Sequence, residues 1–266
     1  MRSLHPLLLV ALASFALVSC RKDKDEDPID VDYTSASDNS RAEDAFTDML
    51  SVVDKAVSEN GLRDDCDPVV TFDTTSSPRT ITIDFGEVNC TANNGRQRRG
   101  RIQVSYTGRY REQGTIITIV PENYFVNNNE VLGTKTITNM GLNGDGDPYF
   151  TVVVSGSLVG PDESWVATHS ASRIRTWVAG DNTPELSDDV YMITGTGSGV
   201  NRNGLPYNVT ITQALRVALN CPFITQGTVQ VIPATGIIRT IDYGNGNCDG
   251  TFTVTVNGQT FTVTIG

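Results

Sequence analysis

From Cys66 to the C-terminus the apolar residues recur at every second position, and a period of two admits extended strands with one face toward a core. In the stretch Arg99 to Arg111, one face carries Arg99, Arg101, Gln103, Ser105, Thr107, Arg109 and Arg111, and the other carries Ile102, Val104, Tyr106 and Tyr110. Such alternation predicts a half-buried antiparallel strand. It returns in 116–120, 150–158, 207–217 and 229–232, each bounded by turn residues such as Asn143-Gly144 and Asn203-Gly204. The pattern predicts an all-β fold: an antiparallel meander of about eleven strands forming a curved sheet, a sandwich or a half-barrel. Its best determined piece is the C-terminal hairpin, where Asn257-Gly258 is a two-residue turn signal. That turn sets Val254 opposite Phe261 and Phe252 opposite Val263 on a core face, with Thr253–Thr262 and Thr255–Thr260 on the other.

An internal repeat appears when the cysteines are aligned. Residues 82–90 and 240–248 share the pattern T-I-D-[FY]-G-x-x-N-C, and each copy is preceded by a cysteine close to a proline, Cys66 with Pro68 and Cys221 with Pro222. The chain therefore reads as containing a duplicated β unit, with copies near 62–160 and 215–266. A hairpin turning through 233–236 would bring Cys221 and Cys248 face to face. Four cysteines allow three pairings, and the repeat favours Cys66–Cys90 with Cys221–Cys248. The absence of any C-x-x-C pair argues against zinc.

Ahead of the strands the period changes to that of a helix. Phe46, Met49, Leu50, Val53 and Ala56 recur at three- and four-residue spacing, which predicts one packing helix from about Ser40 to Asn60, stopped by Gly61. Further upstream, 1–19 has the form of an export leader, with Arg2 followed by a short apolar run from Leu7 to Val18. The run falls short of the ~20 residues of a spanning helix. It ends in Leu17-Val18-Ser19-Cys20, followed by Arg21-Lys22-Asp23-Lys24-Asp25-Glu26-Asp27-Pro28.

The segment Leu17 to Cys20 resembles the lipobox of bacterial lipoproteins, and the acidic stretch after it resembles the surface-export signals of Bacteroidota lipoproteins. The resemblance implies cleavage before Cys20, acylation of its thiol, and anchoring to the outer membrane with the protein exposed at the cell surface. Residues 20–40 are then a solvated tether and 41–266 the folded part, helix plus β domain. Removing 1–19 takes away Arg2 and no acid, so the formal charge moves from −11 to −12. An acidic balance of this size disfavours nucleic acid as a partner.

Catalytic chemistry has little to draw on. The two histidines are His5, in the leader, and His169, in a strand-like stretch from Ser164 to Val178 that reads as a surface strand. No nucleophile elbow accompanies His169, and no cofactor or metal motif is present. Asn143 to Asp147 resembles the start of a calcium loop, but Val154 stands where the bidentate glutamate belongs, so a tight turn is expected. The one basic concentration, Arg96 to Arg101 with Arg109 and Arg111, is either a solvated strand face or a grip for acidic glycans and phosphates, with Arg99, Arg101, Arg109 and Arg111 as its candidate ligands. The leading expectation is a non-catalytic, lipid-anchored envelope or surface protein, structural or binding a glycan, an envelope component or a partner protein. The alternatives are a polysaccharide hydrolase with paired carboxylates and a carrier of hydrophobic ligands in the hollow of a curved sheet.

Overall fold

A computed structural model describes residues 30–57, 66–92 and 95–265; the leader, Cys20 and the charged stretch that follows lie outside them. The chain opens with one helix, α1 (Thr34–Val57). Four strands follow: β1 (Val69–Asp73), β2 (Arg79–Asp84), β3 (Cys90–Thr91) and β4 (Gln97–Tyr106). The middle of the sheet is β5 (Ile116–Val126), β6 (Asn129–Leu142), β7 (Pro148–Val159), β8 (Val166–Ala179) and β9 (Val190–Val200). It finishes with β10 (Pro206–Ala218), β11 (Ile224–Pro233), β12 (Arg239–Asn245), β13 (Thr251–Val256) and β14 (Gln259–Thr264).

All fourteen strands belong to one antiparallel sheet whose neighbours follow chain order, except that β3 pairs only with β4. The sheet curves without closing, and β1 and β14 are its edges. It has more strands than the eleven expected, in part because pieces such as the two-residue β3 are too short to display an alternation. Curvature comes from bulges, where register slips by a residue, as between Arg99 and Arg101 against β5. At Gly100, with φ +87°, a Cβ would sit 1.8 Å from the Asn123 carbonyl oxygen, so this bend accepts only glycine.

The hollow of the sheet is occupied by α1. The helix begins six residues before the expected Ser40, opened by an Asx turn in which Asp32 Oδ1 accepts the Thr34 N–H at 3.0 Å. Its first turns are polar and read as tether, yet they are inside the protein. Ser35 accepts from Asn201 at 2.9 Å, and Ser40 accepts from the Tyr243 hydroxyl at 3.1 Å. The apolar stripe of Phe46, Met49, Leu50 and Val53 packs on Ile83, Ile102, Val152 and Val154 as the spacing predicts. The rest of the circumference is covered too, and 17 of the 24 helical residues are buried. Among the described residues no helix is long and apolar enough to cross a membrane.

The C-terminal hairpin takes the register set by its turn, with Val254 opposite Phe261 and Phe252 opposite Val263. The Thr255 and Thr260 hydroxyls meet at 2.9 Å on the other face. Both disulfides form, Cys66–Cys90 and Cys221–Cys248, with Cα atoms 5.4 and 5.8 Å apart. The second does so by a different route from the one expected. The β11–β12 ladder pairs Val231 with Arg239, one residue away from the assumed register, and the cysteines meet beyond its end, past a register shift between Gln226 and Thr228.

The repeat is structural as well. Asp84 and Asp242 each accept the N–H of the glycine two residues on, Gly86 and Gly244, at 2.8 Å. Ile83 and Ile241 are fully buried, and Phe85 and Tyr243 are inside beside Tyr124 and Phe252. The copies lie toward opposite edges of the sheet, each with its own disulfide. Replacing both Cys221 and Cys248 by serine is expected to lower the unfolding free energy by about 2–4 kcal/mol, because the unfolded chain regains the freedom of a closed loop. Urea midpoints of the two proteins measure this, and an unchanged midpoint would show that the bridge contributes nothing.

Candidate functional site

Ionisable side chains converge along the contact between α1 and the concave face of the sheet. Carboxylates project from several sides of the helix, and the strands around it turn cations inward to meet them. Asp48 takes Arg98 from two nitrogens, at 2.7 and 3.1 Å, and Arg96 at 3.2 Å. Asp44 pairs with Arg96 at 3.0 Å, Glu43 with Arg173 at 2.7 Å and Asp54 with Arg175 at 3.2 Å. Asp38 holds Arg202 through its Nε and its backbone N–H, each at 2.8 Å. Lys135, from β6, donates to the Phe46 carbonyl at 2.8 Å. All these groups except Arg202 are buried.

Burial and pairing pull their titrations in different directions. Burial alone would raise the Glu43 carboxyl, but Arg173, His169 and Lys135 outweigh it and hold Glu43 at about 2. At Asp44 burial wins over Arg96 and pushes the group up to about 6. Burial lowers Lys135 to about 7 and His169 to about 4, in each case against the attraction of Glu43. At neutral pH, His169 is therefore an uncharged imidazole.

His169 does not lie on the surface as its strand pattern implied. It is 1% exposed, with Nε2 3.6 Å from a Glu43 oxygen and its ring stacked 5.9 Å from that of Phe46. The expected strand is present as β8, but His169 is on its inner face. The hydroxyls Thr168, Ser170 and Ser172 point outward, while His169, Arg173 and Arg175 point in. Space for Arg173 is made by β9, whose Gly195, Gly197 and Gly199 present no side chains to the concave face; a Cβ at Gly197 would lie 3.4 Å from the Arg173 guanidinium. The run Thr194-Gly195-Thr196-Gly197-Ser198-Gly199 was the sequence signal that large side chains fill that face.

The four arginines named from sequence do not form one group. Strand β4 ends at Tyr106, where the chain leaves the ladder for a loop closed by the Glu112 N–H on the Arg109 carbonyl at 2.9 Å. Arg109 and Arg111 belong to that loop and not to the strand expected to run to Arg111. Arg111 donates to the carbonyls of Asp181 and Thr183 and covers Trp177, its guanidinium 4.5 Å from the ring centroid. Arg99 and Arg101 do face outward from β4. Arg101 pairs with Asp84 at 2.7 Å, and Arg99 lies 3.7 Å over Phe125 while bonding Asn89 and Asn128. Arg96 and Arg98, in the same basic run, are the buried partners of α1.

Arg99 and Arg101 border an open cleft with Asp84, Glu87 and Glu122. A hydrolase would need one carboxyl there to stay protonated near neutrality. The hydrogen bond from Arg101 does the opposite and lowers Asp84. The Asn143 segment is a turn joining β6 to β7, with Asn143 Oδ1 accepting the N–H groups of Asp145 and Asp147 at 2.9 Å each. Among the described residues no three His, Cys, Asp or Glu side chains gather as metal ligands.

The convex face has a different chemistry. One line of paired positions runs from β6 through Thr136, Val153, Ser172, Thr196, Thr210 and Gln230. It continues through Thr240, Thr255 and Thr260 to the edge of the sheet. Broken only by Val153 and Gln230, hydroxyls recur along this row from strand to strand, spaced about 4.8 Å apart where adjacent, and no position in it carries a charge. Comparison of the chain with protein-family models, with curated proteins and with solved structures finds no match in any of the three.

Proposed function

We propose that the chain is a non-catalytic protein of the cell envelope, held on the outer membrane by a lipid on Cys20, whose folded part serves as a structural or binding module. The observation that carries this reading is where the reactive groups are. The one histidine outside the leader and five carboxylates of α1 are committed to packing the helix into the sheet, out of reach of a substrate. What the fold offers to its surroundings is the convex face, uncharged along its hydroxyl row and suited to hydrogen bonding with a glycan or with the backbone of a partner protein. The charged stretch 21–28 spaces that face from the bilayer, and an acidic chain stays soluble beside an anionic envelope.

The anchor is tested by fractionating cells that produce the Cys20→Ser chain. Two or more acyl chains hold a protein durably on a bilayer, and their loss is expected to move it from the membrane to the soluble fraction. Continued sedimentation with membranes would overturn the lipid anchor.

A further inference from the structure

The described part of α1 ends at Val57, the expected stop at Gly61 lying outside the described residues, and the inner faces of β1, β2, β4 and β5 extend beyond Val57. In register across them run Phe72, Ile81, Val104 and Ile119, an apolar row on the concave side. Near the end of α1 this row is incompletely covered: Phe72 is 51% exposed and Val57 48%. The result is a cleft of about 360 Å³ walled by Val53, Val57, Phe72, Ile81, Val104 and Ile117. Its volume lies within the roughly 300–1,000 Å³ typical of ligand sites, and exposed apolar surface gathered in a concavity marks an interaction site more often than scattered single residues do.

The polar groups on its wall are unequal. Asp54 is held by Arg175 at 3.2 Å, and the Tyr110 hydroxyl takes a second nitrogen of the same guanidinium at 2.5 Å. Both are committed to the interior. Arg109, which also lines the cleft and is exposed, makes no side-chain hydrogen bond or ion pair with a described residue. An apolar trough bordered by one uncommitted cation is complementary to a molecule with one alkyl chain and one anionic head.

We infer that this cleft binds a long-chain fatty acid, with the alkyl chain along Val57, Phe72, Ile81, Val104 and Ile117 and the carboxylate on the Arg109 guanidinium. The inference is independent of how the chain is anchored and of what its convex face contacts. It is tested on the full-length chain in phosphatidylcholine nanodiscs with a diazirine-bearing palmitic acid, irradiated and mapped by peptide mass, beside the matching fatty alcohol. Saturable labelling is expected on the peptides of β1 and of β4 to β5. Phe72→Asp puts a charge in the trough and is expected to abolish labelling by acid and alcohol alike. Arg109→Glu is expected to weaken labelling by the acid about tenfold, the scale of one lost charge-assisted contact, and to leave the alcohol unaffected. Both positions are exposed, so circular dichroism melts should match the parent.

Labelling spread over the whole chain, or unchanged by Phe72→Asp, would overturn the site. Acid labelling that Arg109→Glu leaves unchanged would overturn the carboxylate contact. Concentration-dependent dimerisation that Phe72→Asp abolishes would give the cleft to a second copy of the chain and overturn the ligand.

Discussion

Asp48→Ala is expected to cost about 3–5 kcal/mol of folding stability, the toll of breaking a buried ion pair from one side. Its carboxylate grips Arg98 through two nitrogens and also neutralises Arg96, and both arginines are 3% exposed. Removing it leaves two buried guanidiniums without their shared counter-charge. Asp48→Asn, which keeps the shape and loses the charge, should do nearly as much damage. Replacing Asp48 and Arg98 together with apolar residues of similar volume should recover most of the loss, because a buried pair gains little over good packing once its desolvation is counted. Urea unfolding with the disulfides intact separates the three variants. A loss under about 1 kcal/mol for Asp48→Ala would show that the Asp48 contacts with Arg96 and Arg98 are worth no more than exposed ion pairs.

The second large effect is on pH. Lys135 has an ordinary pKa of 10.5 and is lowered by burial to about 7 in the folded protein. Between these values the unfolded chain keeps a proton that the folded chain has released. Stability therefore rises with pH across that window, by on the order of 4 kcal/mol in total. Lys135→Met removes both the charge and the titration, so its stability should be level from pH 7 to pH 9.5 and should exceed that of the parent at pH 7. Above pH 10 the buried phenols of Tyr110 and Tyr124, raised by burial, begin to oppose the gain.

On the acid side two groups offset each other. His169, lowered from 6.5 to about 4, removes stability as pH falls through that range, while Asp44, raised from 3.8 to about 6, restores it over nearly the same range. The decline should therefore steepen only below about pH 4, where Glu43, lowered from 4.5 to about 2, is being protonated. Parallel alkaline slopes for the parent and Lys135→Met would remove Lys135 from this account.

Local chemistry explains which parts of this fold could be read in advance. Asn257-Gly258 needs positive φ at both positions, so it specifies a two-residue turn and with it every pair of the C-terminal hairpin. The T-I-D-[FY]-G pattern is legible because each piece has a local role: isoleucine inside, aspartate capping the glycine N–H, an aromatic ring inside. Which face of β8 turns inward, and with it the burial of His169, was not legible. Alternation says which residues share a face, and inwardness is inferred from hydrophobicity; where Thr168, Ser170 and Ser172 alternate with His169, Ala171, Arg173 and Arg175, hydrophobicity does not choose. The choice is made by the carboxylates of α1, more than 120 residues away in sequence. The start of the helix was misread for a related reason, since the polar 34–40 is soluble-looking by composition and becomes interior only when Asn201, Arg202 and Tyr243 reach it. The arginine group depended on the length of one strand, and the loop after Tyr106 divided it.

The helix at the centre of the molecule is also the first of the described elements to leave the ribosome. Its partners follow far behind: Arg173 lies 130 residues after Glu43, Arg202 164 after Asp38, and Arg239 209 after the Asp30 that precedes the helix. Until those strands emerge, α1 carries five acids against Arg41 and Lys55 and has no sheet to bury its apolar stripe, so most of what holds it as a helix is still missing. Chains cut before β12 should consequently yield no smaller folded core, because the sheet would lack the strands that enclose the first turns of α1. Each strand can pair with its neighbour as it emerges, but closing the hollow around α1 has to wait for nearly the whole polypeptide, so a chain of local hairpins carries one late, long-range step.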